Sequence, residues 1–155
     1  MSVLISLLLF AISGPTPAPE QTLTPPHGDP HCWDHAMTQY AMDVCASKNA
    51  HDADAAMNAV YDQLLKRAPN AEARKKLEAA QSAWLAFRKA EIDAKYPADD
   101  KQRYGTVFPM CADLDIARLT DERTRELKEM LLTHEGDACG GAYLTGSHYK
   151  RSGTP

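Results

Sequence analysis

The chain has 155 residues, with 17 Lys and Arg against 21 Asp and Glu, for a formal net charge of −4. That length fits one domain. The acidic balance argues against a nucleic-acid binder, which needs a basic face to neutralise phosphates, and favours a cationic partner held by a field that physiological salt weakens.

The first ten-residue apolar run, "VLISLLLFAI" at positions 3–12, is far short of the ~20 residues that a membrane-spanning helix needs. Small residues stand at Ala11 and Ser13, a pattern for cleavage after Ser13, so residues 1–13 read as an export signal. No Lys or Arg precedes the run, so the N-terminal amine alone would carry the charge of that signal. No cysteine follows it closely, so no lipid-anchor site is visible. "GPTPAPEQTLTPPHGDP" at 14–30 holds six prolines. Proline fixes φ and supplies no N–H, so this stretch reads as an extended linker.

Three helical segments follow. The first runs from about Thr38, a suitable N-cap, to Arg67. Met42, Cys45, Ala46, Ala53, Ala56, Val60 and Leu64 share one face of it at helical spacing, with Asn49 as a polar break. Pro69 and Asn70 stop it. The second runs from about Ala71 to Lys95, with Leu77, Ala80, Trp84 and Phe87 on one side, and Pro97 ends it. The third runs from about Ala112 to Leu132, with Ile116, Leu119, Leu127 and Met130 on one side. No segment alternates with period two, so no strands are predicted. The expected fold is all-α: an antiparallel hairpin of the first two helices with the third packed alongside. The helical domain spans 31–134, and the tail 135–155, rich in Gly, Ser and Thr, reads as irregular.

Charges fall on the inward faces. At ~100° per residue, Arg88 lies about 40° from Trp84 and Glu91 about 20° from it on the other side. Arg123 lies about 40° from Leu119 on the third helix, and Asp52 borders the apolar stripe of the first. Buried charge is costly unless paired, so the expectation is a structural network of Arg88, Glu91 and Asp52 with Arg123 at its rim. A catalytic pairing of Glu91 with Asp52 is the weaker reading, because both sit mid-helix and each has an arginine near it to hold it ionised. No nucleophile motif and no Gly-rich phosphate loop appears, so no enzymatic activity is expected.

"HGDPHCWDH" gathers His27, His31 and His35 with Asp29, Asp34 and Cys32. His31 and His35 have the i, i+4 spacing that suits a metal on a helix, but Pro30 argues against a helix through His31. No metal or other cofactor is therefore assigned. The four cysteines, Cys32, Cys45, Cys111 and Cys139, read in an exported chain as two disulfides with three possible connectivities.

These residues together resemble the lysozyme-inhibitor LprI family of exported bacterial proteins. The resemblance runs through "CWDHAMTQYAMDVCASKNAHDADAAMNAVY", "LEAAQSAWLAFRKAE" and "CADLDIARLTDERTRELKEML". The matching positions are Cys32, Thr38, Gln39, Met42, Cys45, Ala46, Asp54, Asn58, Tyr61, Gln81, Trp84, Phe87, Arg88, Glu91, Cys111, Leu119, Thr120, Arg123 and Leu127. Ala41 stands where the family has Glu, so the capping box at Thr38 is lost. Lys89 replaces an Asp, Ile92 replaces the family's third cysteine, and Cys139 is an extra cysteine in the tail.

The resemblance implies an exported helical protein that binds and inhibits lysozyme. The c-type lysozymes are cationic and this chain is acidic. A glycosidase inhibitor must block a cleft holding two carboxylates. The long "PADDKQRYGTVFPM" loop at 97–110 offers Lys101, Arg103, Tyr104 and Thr106 beside Gly105 for that purpose, although the plainer reading is a connection between two helices. An exported interaction or envelope-stress module without a lysozyme target, and a His-rich metal-binding protein, are the alternatives. In the family pattern, hairpin geometry would join the second and third cysteines and leave the first to meet the fourth. With Ile92 in place of the third, the expected scheme here is Cys32–Cys111 and Cys45–Cys139, the tail folding back along the bundle.

Overall fold

The structure is a computed structural model and describes residues 30–132. The export signal at 1–13, most of the linker, the tail and Cys139 lie outside the described residues. The elements are α1 (Pro30–Asp34), α2 (Gln39–Arg67), α3 (Ala71–Lys95), a short 3₁₀ turn (Lys101–Tyr104) and α4 (Phe108–Leu131). No strand occurs among the described residues, so the all-α expectation holds.

The helix ends follow from local chemistry. Thr38 caps α2, its Oγ1 accepting from the Ala41 amide at 3.2 Å, so the cap stands although the box partner is missing. Asn70 caps α3 through Oδ1, which accepts from the Ala73 amide at 2.8 Å. Pro69 holds Ala68 out of helical geometry, at ψ 124°. Two starts differ from the sequence reading, and both involve proline. Pro30 opens α1, and α4 begins at Phe108 with Pro109 in its first turn. Proline costs nothing there, because the N–H it lacks would have no partner within the helix.

Cross-helix hydrogen bonds set the topology. Arg74 donates to the Leu65 carbonyl, Gln81 to the Met57 sulfur and Arg88 to Asp54. Positions on α2 fall as those on α3 rise, so the pair is an antiparallel hairpin. Arg123–Gln81, Arg88–Thr120 and Lys95–Asp115 give the same descending order between α3 and α4. α4 therefore runs parallel to α2. The N-termini of α2 and α4 share one end of the bundle with the C-terminus of α3.

α2 and α4 are the most closely packed pair. Near the α1 end their interface is built from small residues, Ala50, Ala53 and Ala117, with Ile116 beside them. Toward the hairpin turn it fills with Met57, Val60, Leu64 and Leu127, joined by Leu77 of α3. Small side chains let two backbones approach, and the large cluster supplies most of the burial, at roughly 1.5–3 kcal/mol for each fully buried Leu. Asn49, the polar break in the α2 stripe, is buried on the same face.

α3 buries only Leu77 and Gln81. Trp84 is half-buried, and Phe87 is 50% exposed rather than inward. The contact stripe of α3 passes through 77, 81, 84 and 88, on the Arg88 side of Trp84. Phe87, ~60° round the other way, turns out to solvent.

The cysteine scheme is corrected. Cys32 is bonded to Cys45, with a Cα–Cα separation of 5.8 Å, and Cys111 carries a free thiol. The turn after α1, in which Ala36 and Met37 amides donate to Trp33 and His35 carbonyls, returns the chain against α2. Cys32 therefore meets the second cysteine before it can reach the start of α4.

Candidate functional site

Two polar constellations join the helices. The first lies mid-bundle around Trp84. Arg88, 17% exposed, donates to Asp54 on α2 and, at 2.6 Å, to the Thr120 hydroxyl on α4. Thr120 in turn donates to the Ile116 carbonyl at 2.7 Å. Arg123 donates through Nε to Gln81 Oε1 at 3.2 Å and through Nη1 to Glu126 at 2.9 Å. Gln81 closes the chain by donating to Met57 Sδ at 3.3 Å. Both guanidiniums lie against the Trp84 ring, at 5.2 and 5.9 Å from its centroid, within cation–π range.

This arrangement bears directly on the expected network. Arg88 and Arg123 are in it. Asp52 is not: it is partly exposed and takes a salt bridge from Lys48 on its own helix, whose hydrogen bond holds its carboxyl below the usual aspartate range. Glu91 is exposed as well. The carboxylate that Arg88 uses is Asp54. Asp52 and Asp54 stand ~100° to either side of the buried Ala53, so helical spacing alone cannot say which flank meets α3. Each guanidinium has its own carboxylate, and no two acids face each other across an open cleft here. The constellation has the chemistry of a clamp, not of an acid–base pair.

The second constellation holds the 96–107 connection. Tyr96, Tyr104 and Phe108 form an aromatic cluster with centroids 5.1–5.7 Å apart. Tyr96 donates to Asp115 at 2.9 Å, and Lys95 bridges to the same carboxylate at 2.6 Å. Burial, with the Asp115 carboxylate as acceptor, pushes the Tyr96 phenol well above its ordinary range, so it stays a donor. Lys101 donates to the Tyr96 carbonyl, and the Tyr104 hydroxyl accepts from the Ala98 amide at 2.8 Å. Lys101 and Tyr104 are thus spent on folding the loop. Arg103 and Thr106 are exposed on either side of Gly105, whose φ of 75° is readily adopted only by glycine. The residues here missed by sequence reasoning are Tyr96, the C-cap of α3, and Asp115, two turns into α4, and neither stands in a motif.

Near the start of α4, Asp113 is pushed above the usual aspartate range by burial and then by the negative charge of Asp43 on α2. His31 pairs with Asp34 at 3.0 Å. Among the described residues no group of three or more His, Cys, Asp and Glu is placed to hold a metal ion. No described helix is long and apolar enough to cross a membrane.

The family model described as lysozyme inhibitor LprI matches residues 32–127, which spans the disulfide, both constellations and nearly all of α4. The chain belongs to the lysozyme inhibitor LprI family. It is also 30% identical over 112 residues to the uncharacterized protein R02472 of Rhizobium meliloti (strain 1021), covering 64% of this chain and 78% of that protein. No solved structure matches. The LprI positions singled out in the sequence now have places: Cys32 and Cys45 form the bridge, Thr38 caps α2, and Asp54, Gln81, Arg88, Thr120 and Arg123 make the clamp. The family is described by its name as one of inhibitors, not of enzymes.

Proposed function

We propose that this protein is exported and acts as a soluble LprI-type inhibitor that binds a cationic c-type lysozyme. The observation that carries this reading is the family match over residues 32–127, because it covers the whole disulfide-stapled bundle and not one motif within it. The net charge of −4 supports attraction to a basic enzyme. The loop between α3 and α4 contributes Arg103 and Thr106, the two of its four candidate side chains left facing solvent. A cation and a hydroxyl there suit a cleft lined by two carboxylates. Residues 1–13 act as the export signal, and 14–30 as the tether ahead of the bundle.

The test is an assay of the chain beginning at Gly14 against several c-type lysozymes on peptidoglycan. Slowed lysis that saturates with inhibitor is the expected result. Unchanged lysis at large molar excess over every lysozyme tried would count against the proposal. An interaction module without a lysozyme target would give that negative result.

A further inference from the structure

Large apolar side chains that face solvent are mostly scattered singly here: Leu85, Phe87, Val107 and Leu132 stand apart, as such residues do on most soluble proteins. Three others do not. Met37 is 86% exposed, Tyr40 78% and Val44 48%. Tyr40 and Val44 are one turn apart on α2 and so adjoin on its outer face. Met37 directly precedes the Thr38 cap, where a residue commonly folds back to staple Met42 in the first turn. Its exposure shows that no such staple forms. The stripe therefore extends the outer face of α2 beyond its N-terminus.

Two further features surround this stripe. The Cys32–Cys45 bridge pins α1 beside it, so the surface is pre-organised and loses little freedom on binding. The end of the bundle that carries it is also acidic. Asp34, Asp43, Asp99, Asp100 and Asp113 gather there. Of the cations at that end, Lys95 is taken by Asp115 and Lys101 by the Tyr96 carbonyl, while Arg103 faces solvent. The opposite end, at the hairpin turn, is richer in cations: Lys66, Arg67, Arg74, Lys75 and Lys76, of which Arg74 and Lys76 pair with Glu78 and Glu72.

We infer that Met37, Tyr40 and Val44 form the apolar anchor of a docking surface for a cationic protein, with the aspartates at that end steering the partner's basic rim. Aromatic and Met side chains in a charged surround make the anchor of many interfaces, and complementary charge sets orientation and on-rate. The inference rests on the lysozyme reading for its named partner and deepens it. It moves the main contact from the loop to the outer face of α2, with Arg103 and Thr106 reaching in from the same end.

The experiment places a photo-crosslinking phenylalanine analogue at Tyr40, or at Phe87 as a control, in the chain beginning at Gly14. Each is irradiated with a c-type lysozyme and with an unrelated basic protein. Crosslinking to lysozyme from position 40 and not from 87 is expected. The double variant Tyr40→Ser, Val44→Ser should weaken lysozyme binding about ten-fold or more with an unchanged melting midpoint, since both side chains face water. Lysis slowed without any crosslink from position 40 overturns the surface and leaves the inhibitor reading intact. A crosslink to the basic protein without effect on lysis supports the surface and overturns the inhibitor reading. No crosslink from position 40 to either protein overturns the surface.

Discussion

Arg88 is the side chain on which the three long helices converge. It touches Asp54 on α2, Thr120 on α4 and the ring of Trp84 on its own helix. Arg88→Ala should cost about 2–3 kcal/mol, the range for charge-assisted hydrogen bonds lost from a mostly buried site. That is less than full burial of the pair would give, because Asp54 is 38% exposed and water can solvate it once the arginine is gone. Arg88→Lys keeps the charge and a nitrogen able to serve both acceptors, but loses the planar guanidinium lying against Trp84, so it should recover only part of the loss. Asp52→Ala should leave the denaturation midpoint nearly where it is, since its partner Lys48 is half-exposed and one turn away on the same helix. Urea denaturation of the three variants checks the order. At Asp113 the sign is reversed. Its folded carboxyl titrates above the unfolded one, through burial and then Asp43. The folded state therefore binds the proton more readily, and stability falls as pH rises from the ordinary aspartate range through the folded value. Asp113→Asn should stabilise the protein at neutral pH and lose that advantage below the ordinary range. Melting midpoints across pH would show the two curves converging on the acid side.

The short α1 is the element least able to stand alone. Five residues cannot hold a helix in water without tertiary support. Its support is the bridge from Cys32 to Cys45, which closes a segment with a sequence separation of 13. Cys32→Ser should cost about 2–3 kcal/mol by the chain-entropy account of a loop that size. Amide exchange should then become fast from 31 to 37 and stay slow in the middle of α2, where Ala53, Met57 and Leu64 are buried. Peptide mapping without reductant should recover Cys32 linked to Cys45. The long helices need no such staple, because α2 and α3 are capped by side chains and α2 and α4 are packed along one another.

At the scale of the molecule, charge is uneven, with aspartates in excess around α1 and the α3–α4 loop and lysines and arginines in excess around the hairpin turn, where Glu72 and Glu78 pair with two of them. A basic partner would be drawn to the first end. Raising ionic strength from about 10 mM to 150 mM shortens the screening length from ~30 to ~8 Å. Inhibition of a c-type lysozyme should weaken over that range mainly through a slower on-rate, which stopped-flow mixing at several salt concentrations would resolve.

Local chemistry was legible in the chain itself. The cap at Thr38 and the stop at Pro69 and Asn70 placed α2 and the start of α3 where the structure has them, because these signals act within one turn of helix. The apolar stripes marked all-α packing for the same reason. The LprI motif was readable because it is a matter of order and spacing along the chain. What periodicity could not decide is which flank of each stripe would meet a neighbour. Asp52 and Asp54 are equivalent about Ala53 until α3 packs on one side. Glu91 and Arg88 are both near Trp84 until the contact stripe settles toward Arg88. The expected partner of Cys32 was Cys111, and it is the turn of α1 back on α2 that gives it Cys45 instead. Each of these depends on the relative rotation of two helices, and that is set by how their side chains interlock, not by the sequence of either one alone.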